Sequence, residues 1–325
     1  MVKIDTKDKK ILFQLTLNSR QSYNQIAKKV GLTKDVVAYR IKKLQENGVI
    51  INFFANVNPY ALGFATIRFF YNYRFINPTK KKEIIDYMIS SKNTWAVSST
   101  EGNYNLQVNM FIEIQKPEKF INFYDDIQMR FREYFDNQFG TLLTRGNIYN
   151  LSFYFDTNPN LNKITLKSEF KQVKIDNDDI KILQILSQNS RISTIEISKQ
   201  LSLSSKTIKN RIQKLVKANY IKEFTVFIDW SKIQLRPFFL EINLKNYKQK
   251  YDIIKYIKQN KYLNAVEESI GNNIDLNFWF ILKNVKQLQD IIDDLSEKYP
   301  DSIQNFKYCS YIKWHKWNYM PPIDL

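Results

Sequence analysis

Apolar residues along the first fifty positions recur at helical spacing. Ile11, Leu12 and Leu15 open the pattern, Ile26 and Val30 continue it, and Val37, Ile41 and Leu44 stand at i, i+4, i+7. Residues so spaced share one face of an α-helix, so three amphipathic helices are expected. Ser22 and Thr33 stand where a hydroxyl can cap the second and third. Gly31-Leu32 turns the chain between them, and Gly48 can end the third helix in the left-handed conformation. A β-rich run, VIINFFANVN, follows and predicts a strand pair that forms a wing.

Beyond it the period changes. An apolar strand (FATIRFFYNYRF) precedes an amphipathic helix (TKKKEIIDYMISS), two strands about STEGNYNLQVNMFIEI, a helix (KPEKFINFYDDIQMRFREYF) and a last strand. This βαββαβ order predicts a four-stranded antiparallel sheet covered by helices on one face. PFFLEINLKNY, KYDIIKYIKQN, NAVEESIGNNIDLNFWFIL, VKQLQDIIDDLSEKY and IQNFKYCSYIKW repeat the order later in the chain.

The chain is in fact written twice. Asp5, Asp8, Ile11, Leu12, Leu15, Asn18, Ser19, Arg20, Ser22 and Ile26 recur at a constant offset of 171 residues, from Asp176 to Ile197. Arg40, Ile41, Lys43 and Leu44 recur in the same register as Arg211, Ile212, Lys214 and Leu215. A gapless match through three elements implies duplication. The fold class is therefore α+β, a winged helix-turn-helix domain plus a ferredoxin-like βαββαβ domain, duplicated in tandem. The boundaries read as 1–60 and 61–156 for the first copy, a polar linker over 157–172, then 173–232 and 233–325.

Charge sharpens this outline. Lys and Arg number 49 against 32 Asp and Glu, a net +17. Coding bias toward Lys competes with a polyanionic partner as the cause. Residues 1–60 hold 11 basic and 4 acidic side chains and residues 170–232 hold 12 and 6, so most of the excess lies in the two helical segments. That clustering favours nucleic-acid binding. Cys309 is alone, which excludes an intrachain disulfide and a cysteine-based zinc site and fits a reducing cytoplasmic setting. The opening MVKIDTKDKK has no apolar h-region, and no apolar run reaches the roughly 18 residues of a membrane span, so a soluble protein without a membrane partner is expected.

The segment IDTKDKKILFQLTLNSRQSYNQIAKKVGLTKDVVAYRIKKLQENGVI, from its Asp-x-x-Asp opening through Arg-x-x-Leu to Gly-Val-Ile, resembles the helix-turn-helix of the Lrp/AsnC (feast/famine) transcriptional regulators. The βαββαβ part looks like that family's regulatory domain, so the resemblance spans nearly the whole chain. It implies duplex DNA as partner and transcriptional regulation as function. Members are usually single-unit chains that dimerise; this chain carries two units, as though a dimer had been fused, and further self-association stays open.

A helix-turn-helix lays its second helix in the major groove with its N-terminal side chains at base edges. Lys34, Asp35 and Tyr39, and in the second copy Ser205, Lys206, Lys209 and Asn210, are the expected base readers, behind the caps Thr33 and Ser204. Lys donates to guanine, Asn pairs with adenine and Asp accepts from cytosine. Arg40, Lys42, Lys43, Arg211 and Lys214, with Lys28 and Lys29 of the preceding helix, are candidates for phosphate contacts. Arg40 and Arg211 have an alternative, packing against their own domains. A solvated helix face is the competing reading of the whole charge run, and a sequence-indifferent architectural DNA-binding protein is a competing function.

The family resemblance further implies an effector, an amino acid or other small molecule, near a Gly-Asp-Tyr-Asp-like loop between the second and third strands. The matching positions are Gly102, Asn103, Tyr104 and Asn105, and in the second copy Gly271, Asn272 and Asp275. Gly-Asn is also ordinary hairpin punctuation. The aromatic load, 23 Phe, 20 Tyr and 5 Trp, alternates within strands, which favours core and sheet-to-sheet contact over stacking on single-stranded nucleic acid. Pairing the two sheets would mimic the family's dimer. The sirohaem decarboxylases, a related branch with the same architecture, depend on histidine-rich haem pockets, whereas His315 is the only histidine here. No catalytic triad, P-loop or dinucleotide loop is present in the sequence, so neither catalysis nor a cofactor is expected.

Overall fold

The computed structural model describes residues 2–149, 164–166, 174–271 and 274–323. Its first unit runs α1 (Thr6–Leu17), α2 (Tyr23–Val30), α3 (Lys34–Glu46), β1 (Ile50–Val57), β2 (Phe64–Tyr73), α4 (Pro78–Ser90), β3 (Thr94–Gly102), β4 (Leu106–Glu113), α5 (Glu118–Phe131) and β5 (Phe135–Ile148). A short β6 (Ile164–Leu166), inside the expected linker, pairs with Gly146–Ile148 of β5; the rest of 157–172 lies outside the described residues. The second unit repeats the order as α6 (Asn177–Gln188), α7 (Thr194–Leu201), α8 (Ser205–Lys217), β7 (Ile221–Ile228), β8 (Arg236–Leu244), α9 (Lys250–Ile257), β9 (Leu263–Ile270), β10 (Leu276–Leu282), α10 (Val285–Lys298) and β11 (Ile303–Trp317).

Capping chemistry sets the helix starts. Asp5 accepts from the Asp8 N–H while Asp8 accepts from the Asp5 N–H, at 2.8 and 3.1 Å, and Asp176 and Asp179 do the same for α6. Ser22 with Gln25 and Ser193 with Glu196 form the same reciprocal box on α2 and α7. Each box satisfies backbone donors that a helix leaves open. Gly48 takes the left-handed conformation after α3, and Asn219 fills that place after α8.

The expected wing is corrected by the strand pairing. Each unit supplies one strand, and β1 pairs antiparallel with β7 of the other unit, Phe53 opposite Val226 and Ala55 opposite Phe224. Helix α1 lies against β7, and α6 against β1. Two cores are thereby shared between the units. One combines Ile11, Leu15 and Phe53 with Val226 and Ile228, and the other combines Ala55 and Val57 with Ile182, Leu186 and Ile221.

The two βαββαβ parts do not stack as separate sheets either. Their strands run β2-β4-β3-β11-β8-β10-β9-β5, and β5 returns to β2, so eight strands close a ring. Leu142 of β5 lies opposite Ile67 on one side and Ile270 on the other; Cys309 of β11 lies opposite Phe239 and Gly102. The last strand of each unit is thus the seam to the other. Closure leaves no free edge within the ring, the physical reason for preferring it to two open four-stranded sheets. Helices α4 and α5 bury Ile84, Met88, Ile127 and Phe131 on its outer face, and α9 and α10 bury Ile253, Ile257, Leu288 and Leu295. Inside stand Phe70, Tyr104, Phe239, Cys309 and Tyr311.

Candidate DNA interface

The recognition helices keep one buried stripe each, Val37, Ile41 and Leu44 in α3 and Ile208, Ile212 and Leu215 in α8. Burial of each such side chain contributes about 1.5–3 kcal/mol, and it fixes which face remains outward. In α3 that face carries Lys34, Asp35, Tyr39, Lys42 and Lys43, all exposed, with Tyr39 at 64%. In α8 it carries Lys206, Lys209 and Asn210, while Ser205 is half-buried and bonded to Ser198 at 3.4 Å. Thr33 and Ser204 cap the two helices from the backbone N–H of Val36 and Thr207.

Several expected phosphate contacts are tied inside the units. Arg40 Nη1 donates to Asp5 and Asp8 at 2.8 Å each, and Arg211 Nη1 donates to Asp176 and Asp179 at 2.8 Å. These are the capping-box carboxylates, so each arginine bolts the recognition helix to the first helix of its own unit. The hydrogen bond to Asp5, then that to Asp8, raises the Arg40 pKa; the Asp179 backbone N–H and Arg211 hold the Asp176 carboxyl below its usual range. Lys214 bonds the buried Asp179 at 2.9 Å and the Lys174 carbonyl. Lys29 donates to Gln21 at 2.6 Å, Lys42 lies 3.7 Å from Glu46, and Lys28 is exposed. Arg40 and Arg211 therefore take the intradomain alternative.

One pair of outward positions was missed by sequence reasoning. Val36 is 38% exposed between Asp35 and Tyr39, and Thr207 holds its place in α8. Both carry methyl groups at the N-terminal end of their helices, beside the expected base readers, and a methyl is the chemistry that can meet a thymine methyl. The available signal was that Val36 falls outside the Val37–Ile41–Leu44 stripe.

The two readers are clasped together. Ser19 and Ser190, both fully buried, place their hydroxyls 2.6 Å apart. Arg20 donates to the Ser190 and Ile192 carbonyls, and Arg191 reciprocates with those of Ser19 and Gln21. With β1 paired to β7, this makes a pseudo-twofold platform carrying both recognition helices.

A family model described as winged helix-turn-helix DNA-binding matches residues 4–51 and again 176–222. The HTH-type transcriptional regulator Ptr1 of Methanocaldococcus jannaschii is 32% identical over 102 residues, 31% of this chain and 68% of that protein. The HTH-type transcriptional regulator FL11 of Pyrococcus abyssi is 31% identical over 126 residues, 39% of this chain and 81% of that protein. The chain belongs to the Lrp/AsnC family of transcriptional regulators. As a tandem Lrp/AsnC-type regulator it carries two units where each of these relatives matches less than half of it. Over 98% of its length it also shares the fold of the sirohaem decarboxylase NirDL, covering 95% of that chain with a TM-score of 0.65 at 12% identity. That likeness is one of fold alone. Among the described residues no helix is long and apolar enough to cross a membrane.

In this regulator the two glycine loops sit on the barrel seams. A Cβ on Gly102 would meet the Tyr308 carbonyl at 2.7 Å, and one on Gly271 the Gly140 carbonyl at 2.8 Å. Asn103 exchanges two hydrogen bonds of 2.9 Å with the Tyr308 backbone, and Asn105 accepts from the Tyr73 N–H at 3.0 Å. Tyr104 is buried, stacked on Phe70 and bonded to Glu241. Asp275 accepts from the Leu244 N–H at 2.8 Å, and Asn272 lies outside the described residues. His315 sits in β11 with its Nε2 2.8 Å from the Ser99 hydroxyl; burial, then Lys313 and Lys81, lower its pKa.

Proposed function

We propose that the chain binds an asymmetric duplex operator through two non-identical recognition helices held at one spacing by the Ser19–Ser190 platform. The observation that carries this is the outward face itself. The stripe is kept between copies while Lys34, Asp35, Val36 and Tyr39 become Ser205, Lys206, Thr207 and Asn210. Two different faces on a pseudo-twofold frame read two different half-sites about one helical turn, or a multiple, apart. Lys28, Lys34, Lys43, Lys206 and Lys209, exposed on that side, supply cations for bases and phosphates. Selection of bound fragments from a random DNA pool tests the proposal. Two unlike half-sites at fixed separation are expected, and a strictly palindromic consensus overturns it. Equal affinity for selected and random fragments would indicate an architectural role instead.

The family resemblance supports an amino acid or other small effector as well. Operator affinity measured with each of the twenty amino acids checks this, a saturable change with one of them being expected and a flat panel counting against it. We also propose that the chain acts by binding alone, without a catalytic step. What supports this is the regulator relatives and the engagement of His315 with Ser99. Incubation with sirohaem, followed by visible spectroscopy and product analysis, is expected to leave the tetrapyrrole unconverted; stoichiometric decarboxylation refutes it.

A further inference from the structure

Between the β1–β7 platform and the barrel lies a cavity of about 230 Å³. All five tryptophans of the chain line it, Trp95, Trp230, Trp279, Trp314 and Trp317. They come from four segments spread over more than two hundred residues of sequence. The platform contributes Phe54 and Asn56 from β1 and Glu223, Thr225 and Phe227 from β7, residues that share one face by strand alternation. Trp317 stacks on Phe227 with centroids 5.1 Å apart and meets Trp95 and Trp314 edge to face. The result is a box walled by aromatic rings.

Its charges do not cancel. Arg68 is paired with Glu267 at 2.7 Å and with Asn109 at 3.0 Å, and its guanidinium lies over Phe239 and Trp279. Glu223 has the Asn56 amide, at 3.1 Å, as the partner drawn to it, which leaves one carboxylate in surplus. Asn56 is 6% exposed, and its Oδ1 has no hydrogen-bond partner among the described residues. Burial pushes the Glu223 carboxyl up to about 7. An aromatic box with a surplus carboxylate is the chemistry that holds an organic cation, through the negative faces of the rings and the ion pair together. The volume suits one small molecule, since a cavity of roughly 150 Å³ holds benzene.

We propose that this junction cavity is a binding site for a small alkylated ammonium compound, its cation among the tryptophan rings facing Glu223 and a hydroxyl or other donor on its tail bonded to Asn56. The site goes beyond the DNA-reading function and is tested without DNA. Because every tryptophan lines the cavity, intrinsic fluorescence reports occupancy directly. Choline and its uncharged isostere 3,3-dimethyl-1-butanol are titrated into the full chain. Choline is expected to change the emission saturably, with a half-saturation concentration at least about tenfold below that of the isostere. Glu223→Gln is expected to collapse that preference toward unity, and Asn56→Ala to weaken both compounds, which share the hydroxyl. Circular dichroism and the thermal midpoint of each variant establish that it is folded. An equal response to both compounds, no saturable response to choline in the wild-type chain, or an unchanged preference in folded Glu223→Gln overturns the proposal.

Discussion

The hydroxyls of Ser19 and Ser190 meet at 2.6 Å, each fully buried and each the other's counterpart across the duplication. Around this point Arg20 and Arg191 cross, each donating to carbonyls of the opposite unit. Burial, then the neighbouring Arg191, lowers the Arg20 pKa, so the clasp holds two cations close together. What keeps them there is the set of carbonyl acceptors, since hydrogen bonds to charged groups are among the stronger ones.

Removing either arginine should therefore loosen the platform. Arg20→Ala or Arg191→Ala is expected to lower stability by about 1–3 kcal/mol and to relax the tolerated half-site spacing. Urea denaturation and binding to operators with inserted base pairs measure the two effects. The double variant is expected to lose more than the sum of the two single losses, because either single change already relieves the whole repulsion and the second change has none left to relieve. Strict additivity would show that the cations do not sense each other.

The basic residues of α3 divide into two kinds with different expected phenotypes. Lys34→Ala and Lys43→Ala leave stability nearly unchanged and weaken DNA binding, with the slope of log affinity against log salt falling by about 0.9 for each lost phosphate contact. Arg40→Ala breaks the bolt to Asp5 and Asp8 and is expected to lower the thermal midpoint, at a cost of about 1–3 kcal/mol. Thermal melts and salt-dependent anisotropy on the same samples separate the two. A stable Arg40→Ala that loses a full phosphate contact would return Arg40 to the interface.

Operator asymmetry has its own test. Converting the α3 face to that of α8, by Lys34→Ser, Asp35→Lys, Val36→Thr, Ala38→Lys and Tyr39→Asn, gives the platform two similar readers. Fragments selected by this variant are expected to approach a palindrome, against the unlike half-sites of the parent. If the consensus stays as asymmetric as before, discrimination arises outside these helices.

Periodicity, caps and the duplicated register are local properties, so the helices, their outward faces and the βαββαβ order were legible in the sequence. Strand partners are not local. Phe53 could have paired within its own unit, and only the assembled chain puts it opposite Val226. For the same reason Asp5 and Asp8 announced a helix start but not that Arg40 would reach back to them. The tryptophans gave no signal at all, because Trp95 and Trp317 meet only once β11 has crossed to β3.

Gly102 shows what that crossing requires. Its φ of +111° lies where side-chain-bearing residues are strained, and an added Cβ would stand 2.7 Å from the Tyr308 carbonyl. Gly102→Ala is expected to lower stability by about 2 kcal/mol or more, and Gly271→Ala similarly at the opposite seam. Gly63→Ala is the comparison, with positive φ but nothing within 4 Å of the new Cβ, so it carries the conformational strain alone. Chemical denaturation of the three variants measures the difference. Equal losses at all three would mean that close approach of the seam strands adds nothing.

Glu223 makes stability depend on pH in a defined direction. Its carboxyl has an ordinary pKa of 4.5 and is pushed up to about 7 by burial, against the pull of Asn56. The folded chain then holds a proton that the unfolded chain has released, so this residue's contribution falls as pH rises from about 4.5 to about 7 and is level above that. Glu223→Gln removes the titration. The variant is expected to match the parent near pH 4.5 and to exceed it by about 3 kcal/mol above pH 7, with Glu241, also pushed up to about 7, common to both. Denaturation curves for both proteins across pH 4–8 give the difference directly. A difference that does not change with pH would mean that Glu223 keeps its ordinary pKa in the folded chain, with a partner other than Asn56 offsetting its burial.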